Sequence, residues 1–262
     1  MSIGKAIAGG VLVLWALSAQ AQDEVAWREA ERLGTALFEL DRAVLAAEAA
    51  GEEWRAFRRD DDVEGWVAER GSDGSHAITF VGTNRAGEVV GLYRASVSRS
   101  GSLQGEMEKL DDEIPLGSRL VAQYAARQRA AGVERVACSS TYEIAVLPDT
   151  IQGEAGWRAY LLPRAAFPDV HLLGGTYRAD VSAQGSAVRF FQPLASGCTV
   201  LQNLADAPAL QLVDEQATAP NELHVYTNRR IGKPLYVVGG GGRTWLIQEG
   251  RIRAVEGVPA AP

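Results

Sequence analysis

Between Tyr142 and Glu256, glycine, proline and small polar residues cut the chain into short apolar segments of strand length. These are 142–147, 157–162, 175–181, 187–192, 199–204, 222–227, 234–238, 244–248 and 251–256. Segments this short, with turn residues between them and no helical pattern separating them, predict antiparallel pairing and not a βαβ alternation. Ser182-Ala183-Gln184-Gly185 is one of the turns. The polar stretch 206–221 is the one long excursion.

The half of the chain ahead of this region reads differently. Leu33, Leu37, Leu40 and Val44 recur at helical spacing and predict one long amphipathic helix over 23–50, with Asp23 as N-cap and Gly51 as its stop. A period-two pattern follows over 66–69, 77–82 and 88–97, with Thr83-Asn84-Arg85-Ala86-Gly87 as a hairpin connection. A short helix is expected over 104–112. A second full helix is expected over 118–131, where Leu120, Val121, Tyr124 and Ala125 share a face and Gly132 follows. The fold class is therefore α+β: a long N-terminal helix, an antiparallel β-meander, a second helix, then a mostly antiparallel β C-terminal region. The expected organisation is a leader over 1–21, an α/β-meander unit over 22–133 and a mostly β unit over 134–262. One continuous domain from 22 onward is the alternative.

The first residues have the order of an export signal. Lys5 is followed by the apolar run 6–17 and then by Ala19-Gln20-Ala21, the small-x-small pattern of a cleavage site. Removal after Ala21 is expected. The run of roughly 12 apolar residues is shorter than the ~20 needed to span a bilayer, and no later segment is long enough. The expected location is a bacterial periplasm or the extracellular medium. The net charge of −7 comes without a basic cluster in the sequence, which speaks against nucleic acid as a partner. The expected partner is a protein or a small ligand of the cell envelope. The two cysteines, Cys138 and Cys198, are expected to form a disulfide in that compartment.

Chemical motifs are sparse. Asp169-Val170-His171 and Glu222-Leu223-His224 each place a carboxylate two residues before a histidine, which on a strand would put both on one face. Asp169, His171, Glu222 and His224 are therefore the candidate metal ligands of a metal-assisted hydrolase. The run Gly239-Gly240-Gly241-Gly242-Arg243 is followed by a strand and by no Lys-Ser or Lys-Thr. It reads as a hairpin tip and candidate binding loop, not as a phosphate-binding loop. The turns Gly71-Ser72-Asp73-Gly74-Ser75-His76 and Ser100-Gly101-Ser102 match no nucleophile motif. No cofactor is implied. The favoured reading is a non-enzymatic module that binds a ligand or a protein.

Overall fold

One helix, α1 (Ala8–Glu53), runs through the N-terminal part of the chain. The computed structural model describes residues 8–165, 170–195, 197–202 and 204–257. Contacts divide the chain into a smaller unit, Met1–Thr35 with Asp206–Pro262, and a larger one, Ala36–Ala205. Residue 133, where the sequence pattern turns to β, falls inside the larger unit. The expected helical stripe is buried: Leu33, Leu37, Leu40 and Val44 are each 1 % exposed or less. The helix neither begins at Asp23 nor stops at Gly51. Residues 8–22 contain no proline and continue the same helix. Gly51 lies beneath Phe57, where a Cβ would come within 2.6 Å of the ring. This glycine serves close packing and not a left-handed stop.

In the larger unit, β1 (Gly65–Arg70), β2 (His76–Thr83), β3 (Val89–Val97) and β4 (Glu108–Pro115) form an antiparallel sheet in chain order. The β2–β3 connection is the expected hairpin. Asn84 Oδ1 accepts the backbone N–H groups of Ala86 and Glu88, and Gly87 takes a φ of 82°. β4 replaces the short helix expected over 104–112. It pairs with the edge of β3, whose N–H and C=O groups would otherwise lack partners on that side. Trp54 and Phe57, just past α1, pack edge-on against Tyr93 and Phe80 of this sheet. The Tyr93 hydroxyl donates to Asp60 at 2.6 Å. Burial first, and that bond second, push its pKa up to about 12.

α2 (Ser118–Ala131) follows and ends at Gly132, as its sequence predicts. Its N-cap is Gly117. A second antiparallel sheet has the order β5 (Tyr142–Ile151), β6 (Glu154–Pro163), β8 (Tyr177–Ser182), β9 (Val188–Pro193). The two-residue strands β7 (His171–Leu172) and β10 (Val200–Leu201) pair with each other. Ala126 and Ala130 of α2 share a core with Ile144, Val146, Trp157, Leu161 and Val181. Small residues on the helix let it lie close to the sheet, and the sheet supplies the bulk. Cys138 and Cys198 are bonded.

The smaller unit holds β11 (Leu210–Asp214), α3 (Glu222–Ile231), β12 (Leu235–Gly239), β13 (Thr244–Gln248) and β14 (Arg251–Val255). The strand expected over 222–227 is thus a helix. Asn221 caps it by accepting the N–H groups of Leu223 and His224, and Gly232 ends it with a φ of 73°. Leu223, Val225 and Thr227 alternate as on a strand, but the caps at both ends decide the conformation. With a helical crossover available, β11 and β12 run parallel, the one parallel pair among the described strands. Gly34 of α1 lies where a Cβ would be 2.5 Å from the Glu222 carbonyl oxygen and 2.6 Å from Val225.

Candidate functional site

A cleft of about 660 Å³ opens in the larger unit, between the start of α2, the β5–β6 hairpin and the β8–β9 turn. Its lining includes Val121 and Ala122 from α2, Pro148 and Trp157 from the hairpin strands, and Ala183 and Gln184 from the turn. Each wall is held by backbone geometry. The Trp157 indole donates to the Ala183 carbonyl at 2.9 Å, which fixes the ring against the turn. Gly185 has a φ of 71°, and a Cβ there would stand 2.2 Å from the Ala122 carbonyl oxygen. The turn can therefore approach α2 only with glycine at this position. Val121 leaves 38 % of its surface exposed. Asp149, which also lines the cleft, is paired with Arg158 at 2.6 Å. Arg158 also faces Asp180 at 3.9 Å, and Arg178 faces Asp180 at 3.3 Å. Two carboxylates and two guanidinium groups thus neutralise one another on this sheet face. The volume and the mostly apolar lining are those of a small-ligand pocket.

A second group of charges lies deeper in the same unit. Arg127 of α2 and Arg164 after β6 both contact Glu143 of β5, at 3.0 and 3.5 Å. Arg164 also pairs with Asp41 of α1 at 3.1 Å. The Trp66 indole donates to Glu143 at 3.0 Å, and Arg127 lies over its ring. Glu48 joins these groups, and among the described residues no cation forms an ion pair with it. Burial, then the charges of Glu143 and Asp41 outweighing Arg164 and Arg127, raises its pKa to about 7. Its carboxyl therefore exchanges a proton near neutrality. No spacing in the sequence points to this cluster, because its members come from α1, β1, α2, β5 and the segment after β6.

The residues singled out from the sequence are distributed as follows. Asp169 lies outside the described residues. His171 is 9 % exposed in β7 of the larger unit. Glu222 and His224 are buried in the first turn of α3 in the smaller unit. They are two positions apart on a helix, so they do not share a face, and the expected strand-borne pair does not exist there. His224 Nδ1 accepts the Asn221 backbone N–H at 3.0 Å and closes a reciprocal cap. Its Nε2 is buried without a hydrogen-bond partner. Burial lowers its pKa to about 4, against the opposing charges of Asp214 and Glu222. Among the described residues no three or more His, Cys, Asp or Glu side chains are grouped to hold a metal ion.

The glycine loop joins β12 to β13 through a single turn at Gly240–Gly242. Cβ atoms at Gly239 and Gly240 would meet the carbonyl oxygens of Ala217 and Glu215 at 2.5 and 2.8 Å. Gly241 and Gly242 have φ values of 72° and 75°. Close backbone approach and positive φ therefore account for all four glycines. Arg243 donates to the Thr218 carbonyl and lies 5.3 Å from the centre of the Trp245 ring.

No protein-family model matches the chain, and no curated protein or solved structure is significantly similar to it.

Proposed function

We propose that this chain is an exported binding module, and that its ligand is a small apolar or aromatic molecule held in the cleft beside Trp157. The observation that carries this reading is the cleft itself, with its volume of about 660 Å³. Its walls are fixed by the Trp157 bond to Ala183 and the close approach of Gly185 to α2, so little ordering is left to oppose binding. The acidic group of its lining, Asp149, is already paired with Arg158, which favours recognition over acid–base chemistry.

The test is a titration of the full chain with indole, followed by amide NMR spectra. Saturable shifts are expected at Val121, Ala122 and the Trp157 indole N–H. Val121→Trp puts bulk into the opening from an exposed helix position, and should weaken binding at least tenfold while leaving the remaining spectrum intact. Shifts elsewhere, or none, reject the cleft as the site.

Export is supported by the leader-like order of residues 1–21 and by the Cys138–Cys198 bond, which suits an oxidising compartment. Intact mass of protein recovered from a bacterial periplasm should correspond to cleavage after Ala21, less two hydrogens. Recovery of the uncleaved, reduced chain from the cytoplasm alone would reverse this assignment.

A further inference from the structure

At one end of the β1–β4 sheet, two arginines pair with a single carboxylate, and a third is bonded to the backbone of one of them. Glu39 of α1 is 5 % exposed. It accepts from Arg70 at the end of β1, at 2.7 Å, and from Arg99 just past β3, at 3.3 Å. Arg42, one helical turn after Glu39, donates to the Arg99 carbonyl. The stems are seated on two of the Ser/Gly turns noted in the sequence. Gly74 lies under Arg99, where a Cβ would be 2.9 Å from its Cδ. Gly101 lies under Arg42, where a Cβ would be 2.7 Å from its Cδ. Both glycines have positive φ, 84° and 86°. Each turn thus presents a bare backbone surface on which an arginine lies flat.

The charges do not balance. Two of the three guanidinium groups share one carboxylate and the third is bonded to a backbone carbonyl, in a chain whose net charge is −7. Asp73, in the nearer turn, has Oδ1 engaged by the N–H and hydroxyl of its own neighbour Ser75. His76, 5 % exposed at the start of β2, adds no charge when neutral. A guanidinium carries five N–H donors in a rigid fork. Each of these three uses one in the bonds above. The Arg70 and Arg99 side chains remain 54 % and 68 % exposed, so their spare donors face solvent. A buried carboxylate that fixes two exposed forks, with a third beside them, is a preorganised receptor for a planar or tetrahedral oxyanion.

We propose that Arg42, Arg70 and Arg99 form an oxyanion-binding site, suited to a doubly charged phosphate or sulfate group that would offset their surplus of positive charge. The site is separate from the cleft beside Trp157 and does not depend on it. His76 supplies an internal reporter. Its pKa is lowered by burial and by Arg70 and Arg42, with Glu39 opposing. A bound dianion would raise it.

The experiment titrates the full chain with inorganic phosphate at constant ionic strength, with chloride as the control. Binding is read by calorimetry and by the ring resonances of His76, assigned with a His76→Gln variant. Saturable binding is expected, with an upward shift of the His76 titration, and Arg70→Ala and Arg99→Ala should each weaken it at least tenfold. Arg99→Lys keeps the charge without the fork and should bind less tightly than the parent. Arg28→Ala, at an exposed position of α1 in the smaller unit, should change nothing. Vesicles containing phosphatidate form a second arm. If they bind and inorganic phosphate does not, and Arg70→Ala still abolishes binding, the same chemistry belongs to a lipid headgroup. Binding of neither, or binding indifferent to both arginines, overturns the site. An effect that chloride reproduces at equal ionic strength overturns it as well.

Discussion

Replacing Cys138 and Cys198 together by alanine is expected to destabilise the larger unit by about 4 kcal/mol. The bond closes a loop spanning 60 residues, and its removal restores that freedom to the unfolded chain. The effect should be close to this full value because few regular elements stand beside the bond. Cys138 lies in the segment between α2 and β5, and Cys198 lies between β9 and the two-residue β10. Two tyrosines help to anchor the first segment. Tyr142 accepts the Cys138 N–H at 3.0 Å, and Tyr177 donates to the Val136 carbonyl at 2.9 Å. Gly175, with a φ of 79°, lets the chain pass the bridge, since a Cβ there would stand 2.6 Å from that of Cys138. Urea unfolding of the double variant, followed by tryptophan fluorescence, gives the measurement. A loss under 1 kcal/mol would mean that packing alone holds the two segments, and that the bond has little structural role. Reduction of the parent protein should reproduce the variant's midpoint. Cys198 is exposed and open to reductant.

The same elements show what a sequence of this kind discloses. α2 is legible because helical spacing and a terminal glycine agree, although Val121 of the expected face is exposed and Ala126 and Ala130 supply the core contact instead. The β2–β3 hairpin is legible because Asn84 and Gly87 carry their own turn chemistry. The β segments of the larger unit are legible because alternation and turn residues coincide. α3 is misread because Leu223, Val225 and Thr227 alternate, although Asn221 and Gly232 were visible as caps at helical separation. β11 is hidden in a polar stretch, since only Leu210 and Leu212 of its five residues are buried. The parallel β11–β12 pair follows from that one helix and could not be read without it. The candidate sites are illegible for a different reason. Val121, Pro148, Trp157 and Gln184 come from α2, two strands and a turn. Arg42, Arg70 and Arg99 come from a helix and two strand ends. Neither set has a spacing, because neither lies on one element. Trp157 is a core residue by composition and a wall of the cleft by position.

The smaller unit should lose stability on mild acidification, and one side chain accounts for most of the effect. His224 has a pKa of about 4 in the folded chain against an ordinary value of 6.5, because its ring is fully buried. The unfolded chain therefore binds more protons than the folded one between these values, and stability falls as pH falls. The contribution is fully present above pH 6.5 and is lost progressively towards pH 4. It declines by ~1.4 kcal/mol per pH unit, to a total of about 3 kcal/mol. The structural reason is specific. Protonation turns Nδ1 from an acceptor into a donor, so it can no longer receive the Asn221 N–H, and the reciprocal cap of α3 is broken. It also leaves a charge on a ring whose Nε2 has no partner. Asp214 and Glu222 are the charged groups that favour the protonated ring, and they offset burial only in part. Glutamine at the third helical position can make the same cap through its side-chain oxygen without titrating. The difference in unfolding free energy between the parent and His224→Gln, measured from pH 7.5 to 4, should isolate the effect, since the carboxylates are common to both. The parent should fall relative to the variant by about 3 kcal/mol over this range. Parallel curves would show that the ring takes up its proton without losing the cap, and would remove His224 as the source of acid sensitivity.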